Sequence, residues 1–114
     1  MSMVEQYGLS SEVIKKICTV FLDFPEIERV ILYGSRAMGN YRNGSDIDLT
    51  LMTKEDDSLS LLTSIMTALD DLDLIYSFDV SFLSHINNPN LLDNIERIGV
   101  DFCCVSGVSE LKNK

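Results

Sequence analysis

The sequence predicts a two-layer α/β domain of the α+β type, in which a small mixed β-sheet packs against helices. Three observations carry this prediction. Helical and strand patterns alternate along the chain in the order helix, strand, short helix, strand, helix, strand, helix, strand. Two of the strand runs alternate polar and apolar residues, so each offers one face to a core and keeps the other polar. The 114 residues, 46% of them hydrophobic, suit one domain and are too few for two ordinary ones. A single domain over 1–114 is expected, with its motif-bearing core over about 29–105. Local pattern leaves the order of strands in the sheet open.

The first nine residues read as a short lead-in. Ser10 or Ser11 caps a helix whose apolar positions Val13, Ile14, Ile17, Cys18, Phe21 and Leu22 recur at three-to-four spacing. Phe24-Pro25 ends it, since proline breaks the helical ladder, and the run from Arg29 to Tyr33 is rich in β-formers. Gly34-Ser35 interrupts that strand, and a short helical segment follows from Arg36 to about Asn40. Asn43-Gly44 marks a turn. From Asp46 the chain alternates, with Asp46, Asp48 and Thr50 on one side and Ile47, Leu49 and Leu51 on the other.

Asp56, Asp57 or Ser58 caps the next helix, which carries Leu59, Leu61, Leu62, Ile65, Met66 and Leu69. The acids Glu55, Asp56 and Asp57 are read as capping and solubilising that helix rather than binding metal. Between Ile75 and Leu83, Tyr76, Phe78, Val80 and Phe82 take one face while Ser77, Asp79 and Ser81 take the other. Asn88 as cap, with Pro89 at the first helical position, starts a helix to about Ile98. Gly99 ends it before a last strand from Val100 to Val105, and Ser106 to Lys114 reads as a loop or terminal turn.

The 18 acidic and 9 basic residues give a formal charge of -9, with no cluster of Lys or Arg. Binding a nucleic-acid backbone takes several well-placed cations, so direct nucleic-acid binding is disfavoured. A magnesium-bound nucleotide stays open, because the ions carry much of the charge compensation. Cys18, Cys103 and Cys104 lack zinc spacing, the single His85 has no cysteine partner at ligand distance, and all three cysteines are read as ordinary thiols of a reducing compartment. No charged segment leads into an apolar leader, and no run of about 18 apolar residues occurs. A soluble cytoplasmic protein is the expectation.

The chemistry concentrates between Gly34 and Leu49. Gly34 lets the backbone turn tightly or approach a phosphate, Ser35 adds a hydroxyl donor, and amides at the start of the following helix favour an anion. Asp46 and Asp48, two residues apart on a strand, share a face with Cα atoms roughly 7 Å apart. Carboxylates so placed can converge on Mg²⁺, with Mn²⁺ as an alternative. Asp79, in the middle of another polar strand face, is the best third acid for a two-metal site with ions about 3.5–4 Å apart. Gly-Ser alone is a weak signal, as is Asp-x-Asp alone; ten residues apart and between two strands, the pair is strong. Neither the Walker loop nor the dinucleotide fingerprint has this spacing.

The run Gly34-Ser35-Arg36-Ala37-Met38-Gly39, followed by Ser45-Asp46-Ile47-Asp48-Leu49, resembles the signature of the polymerase-β-like nucleotidyltransferase superfamily, and most of all its minimal nucleotidyltransferase branch. The resemblance extends from about Arg29 to Val105, with its specificity in residues 34 to 49. It implies the nucleotidyltransferase fold, a nucleoside triphosphate such as ATP as substrate, and metal ligation by Asp46 and Asp48, with Asp79 matching the third acid. It also implies an antitoxin paired with a HEPN-type toxin, to which AMP is transferred on a tyrosine. Met38 stands where related antitoxins often carry arginine. Two alternatives remain open: a noncatalytic module that masks its partner, and transfer to a small molecule, for which a dimer interface could supply the surface. Arg36 and Arg42 are read either as nucleotide contacts or as surface charges, Tyr41 as base-stacking or packing, and His85 as a surface residue.

Overall fold

The computed structural model describes residues 6–42 and 44–103. Helix α1 (Ser11–Leu22) begins at Ser10, whose hydroxyl accepts from the Val13 amide at 3.2 Å. It is followed by β1 (Ile27–Tyr33), the single turn α2 (Ser35–Met38), β2 (Ile47–Thr53), α3 (Leu59–Asp70) and β3 (Phe78–Phe82). A 3-10 turn (Leu83–His85), α4 (Pro89–Ile98) and β4 (Val100–Asp101) complete the order. Of the candidate caps before α3, Ser58 serves, and Asp56 instead accepts from the Ser58 amide at 2.9 Å. Asn88 and Pro89 start α4 as their residue types dictate.

The sheet runs β3-β2-β1-β4, with β2 and β3 parallel and the other neighbours antiparallel. One face carries Val30, Leu32, Ile47, Leu49, Leu51, Val80 and Phe82, packed on Ile17, Val20 and Phe21 of α1 and on Leu61, Ile65 and Leu69 of α3. The opposite face is covered only in part: Ile31 and Tyr33 pack with Ile95 of α4, alongside Leu83, Ile86 and Leu91. At the open end of that second face lie Asp48 and Asp79.

Three sequence expectations are corrected. The end of the lead-in joins the core, because Gln6 and Leu9 bridge to each other and Leu9 is fully buried. The last strand stops at Asp101 instead of running to Val105, of which the final two positions lie outside the described residues. Phe102 still donates to the Val30 carbonyl at 2.8 Å, but it and Cys103 turn inward and are buried. Cys18 and Cys103 are disulfide-bonded rather than free thiols, their Cα atoms 5.3 Å apart across 85 residues of sequence. That contact depends on α1 and the end of β4 meeting in space, which spacing along the chain does not disclose. Cys104 and the tail from Ser106, like Asn43 of the expected turn, lie outside the described residues.

Leu49 is fully buried in the central strand β2. Leu49→Ala is expected to cost about 2–5 kcal/mol in urea denaturation, through lost burial and the cavity left behind.

Candidate active site

Register builds the site. Tyr33 of β1 is the Cα partner of Asp48 on β2, and Asp48 is the partner of Asp79 on β3. Directly paired residues point to the same face, so the three side chains form a row across three strands. Asp46, one residue before β2, is exposed on the same side by the alternation of the strand. The sequence thus placed Asp46, Asp48 and Asp79 correctly on polar faces, and tertiary pairing brings Asp48 and Asp79 together. Tyr33 is a member of the row that sequence reading missed, because a tyrosine ending an apolar run reads as core.

Asp48 is partly buried and its pKa is raised to about 6, first by burial, then by the charges of Asp79 and Asp46, with Arg36 pulling it down. Burial and the Asp79 charge likewise push the Tyr33 phenol up, against a hydrogen bond with Ser81. Gly34 connects β1 to α2 with φ +78°. A Cβ there would overlap the Asp48 carboxylate and lie 3.2 Å from its Cγ, so glycine is needed for both backbone and space. Gly34 of the Gly-Ser turn therefore lies against Asp48. The helix expected to present amides to an anion is only the one turn Ser35–Met38, so its dipole is small.

Arg36 is not where a nucleotide-facing residue would be. It is 2% exposed; its guanidinium donates to the Ser45 carbonyl at 2.9 and 3.2 Å and to the Tyr7 carbonyl at 2.8 Å. The Tyr41 and Tyr76 rings stand 5.3 and 5.1 Å from it, within cation–π range. The residue thus clamps the lead-in and the loop entering Asp46. A pairing with two distant carbonyls leaves no local signal in sequence. Arg42 is exposed beside the same loop, and its backbone amide donates to Ser45 Oγ at 2.8 Å. His85 lies away from the row and contacts Asp57 at 3.1 Å, while Ser84 donates to Asp57 at 2.8 Å. The surface reading of His85 agrees with this placement, and Asp57 contacts the turn after β3 while Ser58 caps α3.

Among the described residues, no three His, Cys, Asp or Glu side chains stand close enough to enclose a metal ion. The donor set at the row nevertheless suits a hard divalent cation. The influences on Asp48 are burial and neighbouring charge, without a compensating hydrogen bond, and two further carboxylates raise its pKa.

A mixed sheet with a Gly-Ser turn lying against an acidic row defines a domain of the nucleotidyltransferase class. The family model "Polymerase beta, Nucleotidyltransferase" matches residues 15–106. A relative from Methanocaldococcus jannaschii, named as a candidate protein adenylyltransferase, is 30% identical over 89 residues, which cover 76% of this chain and 88% of the relative. The chain belongs to the polymerase beta nucleotidyltransferase family. Its fold is shared with a chain of a toxin–antitoxin complex with AMP-PNP, at a TM-score of 0.64 and 19% identity, covering 88% of this chain and 87% of the other. It is also shared with a chain of the complex between tri-AMPylated Shewanella oneidensis HEPN toxin and MNT antitoxin, at a TM-score of 0.58 and 17% identity, covering 90% and 88%. No helix among the described residues is long and apolar enough to cross a membrane.

Two predictions follow from the electrostatics and the clamp. The folded-state pKa of Asp48 lies above its ordinary 3.8, so the stability it contributes is fully present below that value and is gone once the pH has risen through about 6. Asp48→Asn should therefore stabilise the metal-free chain at pH 7–8 by roughly 1–2 kcal/mol after allowance for solvent screening, with the gain fading to nothing near pH 4. Urea denaturation across this range reads it, and a gain independent of pH would refute the field of acids around Asp48. Arg36→Met should cost about 2–4 kcal/mol in the same assay, because two carbonyls lose their buried partner; Arg36→Lys should recover only part of it.

Proposed function

We propose that this single-domain chain transfers AMP from ATP to a hydroxyl of a partner protein of the HEPN type. The observation that carries the reading is the Asp48 and Asp79 pair, aligned in register with Gly34 pressed against Asp48. The candidate adenylyltransferase relative and the toxin–antitoxin complexes that share the fold support it.

Asp46, Asp48 and Asp79 would hold Mg²⁺, or Mn²⁺ in its place. The bound cation would neutralise phosphate charge and favour the ionised acceptor hydroxyl. Gly34 and Ser35 would contact the β- and γ-phosphates, and exposed Arg42 would reach them from the solvent side. Arg36 acts from behind, holding the loop that positions Asp46. In the transfer, the acceptor oxygen bonds to the α-phosphorus as the bond from that phosphorus to the bridging oxygen breaks. Pyrophosphate leaves with the electron pair, and the hydroxyl proton passes to Asp79. Protonation of Asp48 below about pH 6 would compete with the metal, so activity should fall on that side.

The test is incubation of the chain with a HEPN-type partner, α-labelled ATP and Mg²⁺, followed by mass spectrometry of both proteins. AMP is expected on a partner hydroxyl, lost with EDTA and restored by Mg²⁺ or Mn²⁺. Asp48→Asn should lower the rate on the order of 100-fold or more while the fold persists. A tight complex without transfer, unchanged by that substitution, would sink the catalytic reading in favour of masking.

A further inference from the structure

Strand β3 closes one end of the sheet, so among the described residues it has a strand neighbour on one side only. The Ser77 carbonyl accepts from the Ile47 amide at 2.9 Å. Parallel-ladder geometry then turns the N–H and C=O groups of Asp79 and Ser81 toward β2 and those of Phe78, Val80 and Phe82 outward. Beside this edge, on the α3 side of the sheet, lies a groove of about 550 Å³ lined by residues that include Met66, Thr67, Asp70, Tyr76 and Phe78. Its surroundings are acidic. Asp70, Asp71 and Asp73 are exposed at the end of α3, and Asp46 and Asp79 are exposed on the other face. Between Lys54 and Arg97 the chain has no lysine or arginine.

We propose that an extended, basic segment of the partner protein binds along the free edge of β3 and presents its hydroxyl residue beside Asp79. The inference rests on a protein hydroxyl being the acceptor and specifies where that acceptor docks. An added strand would lie about 4.8 Å from β3 with its side chains alternating between faces. The residue opposite Asp79 would point to the carboxylate face. Its two neighbours would point to the α3 face and enter the groove beside Met66 and Phe78. The matching segment is a hydroxyl residue between two apolar ones, with lysine or arginine on either side. The acidic surroundings select that charge and speed its arrival.

The probe is a capped ten-residue peptide with tyrosine between two valines and lysines toward both ends. Its controls replace the first valine by proline, or the lysines by glutamate. Amide exchange and ¹H–¹⁵N spectra of the full chain are recorded without nucleotide. The peptide should slow exchange at Phe78, Val80 and Phe82, and both controls should bind at least tenfold more weakly. Met66→Lys should weaken peptide binding at least tenfold and leave ATP binding unchanged. No binding at millimolar peptide, protection elsewhere, or an unchanged affinity in Met66→Lys would overturn the docking surface. Protection of the same amides in the free chain would overturn it too, by assigning the edge to the chain's own termini. Peptide bound at the edge that accepts no AMP from ATP and Mg²⁺ would uphold the surface and sink the transfer to protein. AMP transfer to a whole partner that Met66→Lys leaves intact would do the reverse.

Discussion

The register of β1, β2 and β3 is the constraint on which the rest depends. It aligns Tyr33, Asp48 and Asp79 in one row and, by the two-residue period of strands, commits Leu32, Leu49 and Val80 to the opposite face. A slip of one residue would bury carboxylates and expose the core together. The fold therefore protects the site by the same pairing that protects its stability. The cost is local: Asp48 is held partly buried beside like charges, and the apolar packing of β2 on α1 and α3 offsets it.

A second device holds the loop between the Gly-Ser turn and the acids. Arg36 is buried between Tyr41 and Tyr76 and ties the Ser45 carbonyl to the Tyr7 carbonyl. The clamp meets the chain at Tyr7 and Gly8, and Gly8 leaves no room for a side chain beside Tyr41 and Arg36. It also supplies a fixed positive charge behind Asp48 without taking up a place in front of it. Toward the β4 edge of the sheet, Arg29 pairs with Asp101 at 2.6 Å and the Cys18–Cys103 bond draws the end of β4 onto α1. The ion pair is half-exposed and contributes little, whereas a cross-link closing a long loop restricts the unfolded chain strongly.

Much of this was legible in the residues themselves. Ser10 and Asn88 as caps, Pro89 at a helix start, and the alternation through Asp46-Ile47-Asp48-Leu49 all rest on local physics. Gly34 was legible as a turn, but the reason no side chain fits there is the Asp48 carboxylate, fourteen positions further on. Arg36 was legible either as a nucleotide contact or as a surface charge, and burial assigns it to the scaffold instead. The cysteines, lacking zinc spacing, read as free thiols, and two of them meet only because α1 and the end of β4 converge.

By itself the sequence determined the element types, the two-faced strands and the residue kinds able to hold a cation, since periodicity, caps and turn chemistry act within a few neighbours. Tertiary structure alone decided that β2 and β3 pair in parallel with Asp48 beside Asp79, that Tyr33 joins them, and that Arg36 faces inward. Those outcomes depend on which faces meet across 15 to 40 residues of chain, and that choice is made by burial of the whole core rather than by any local pattern.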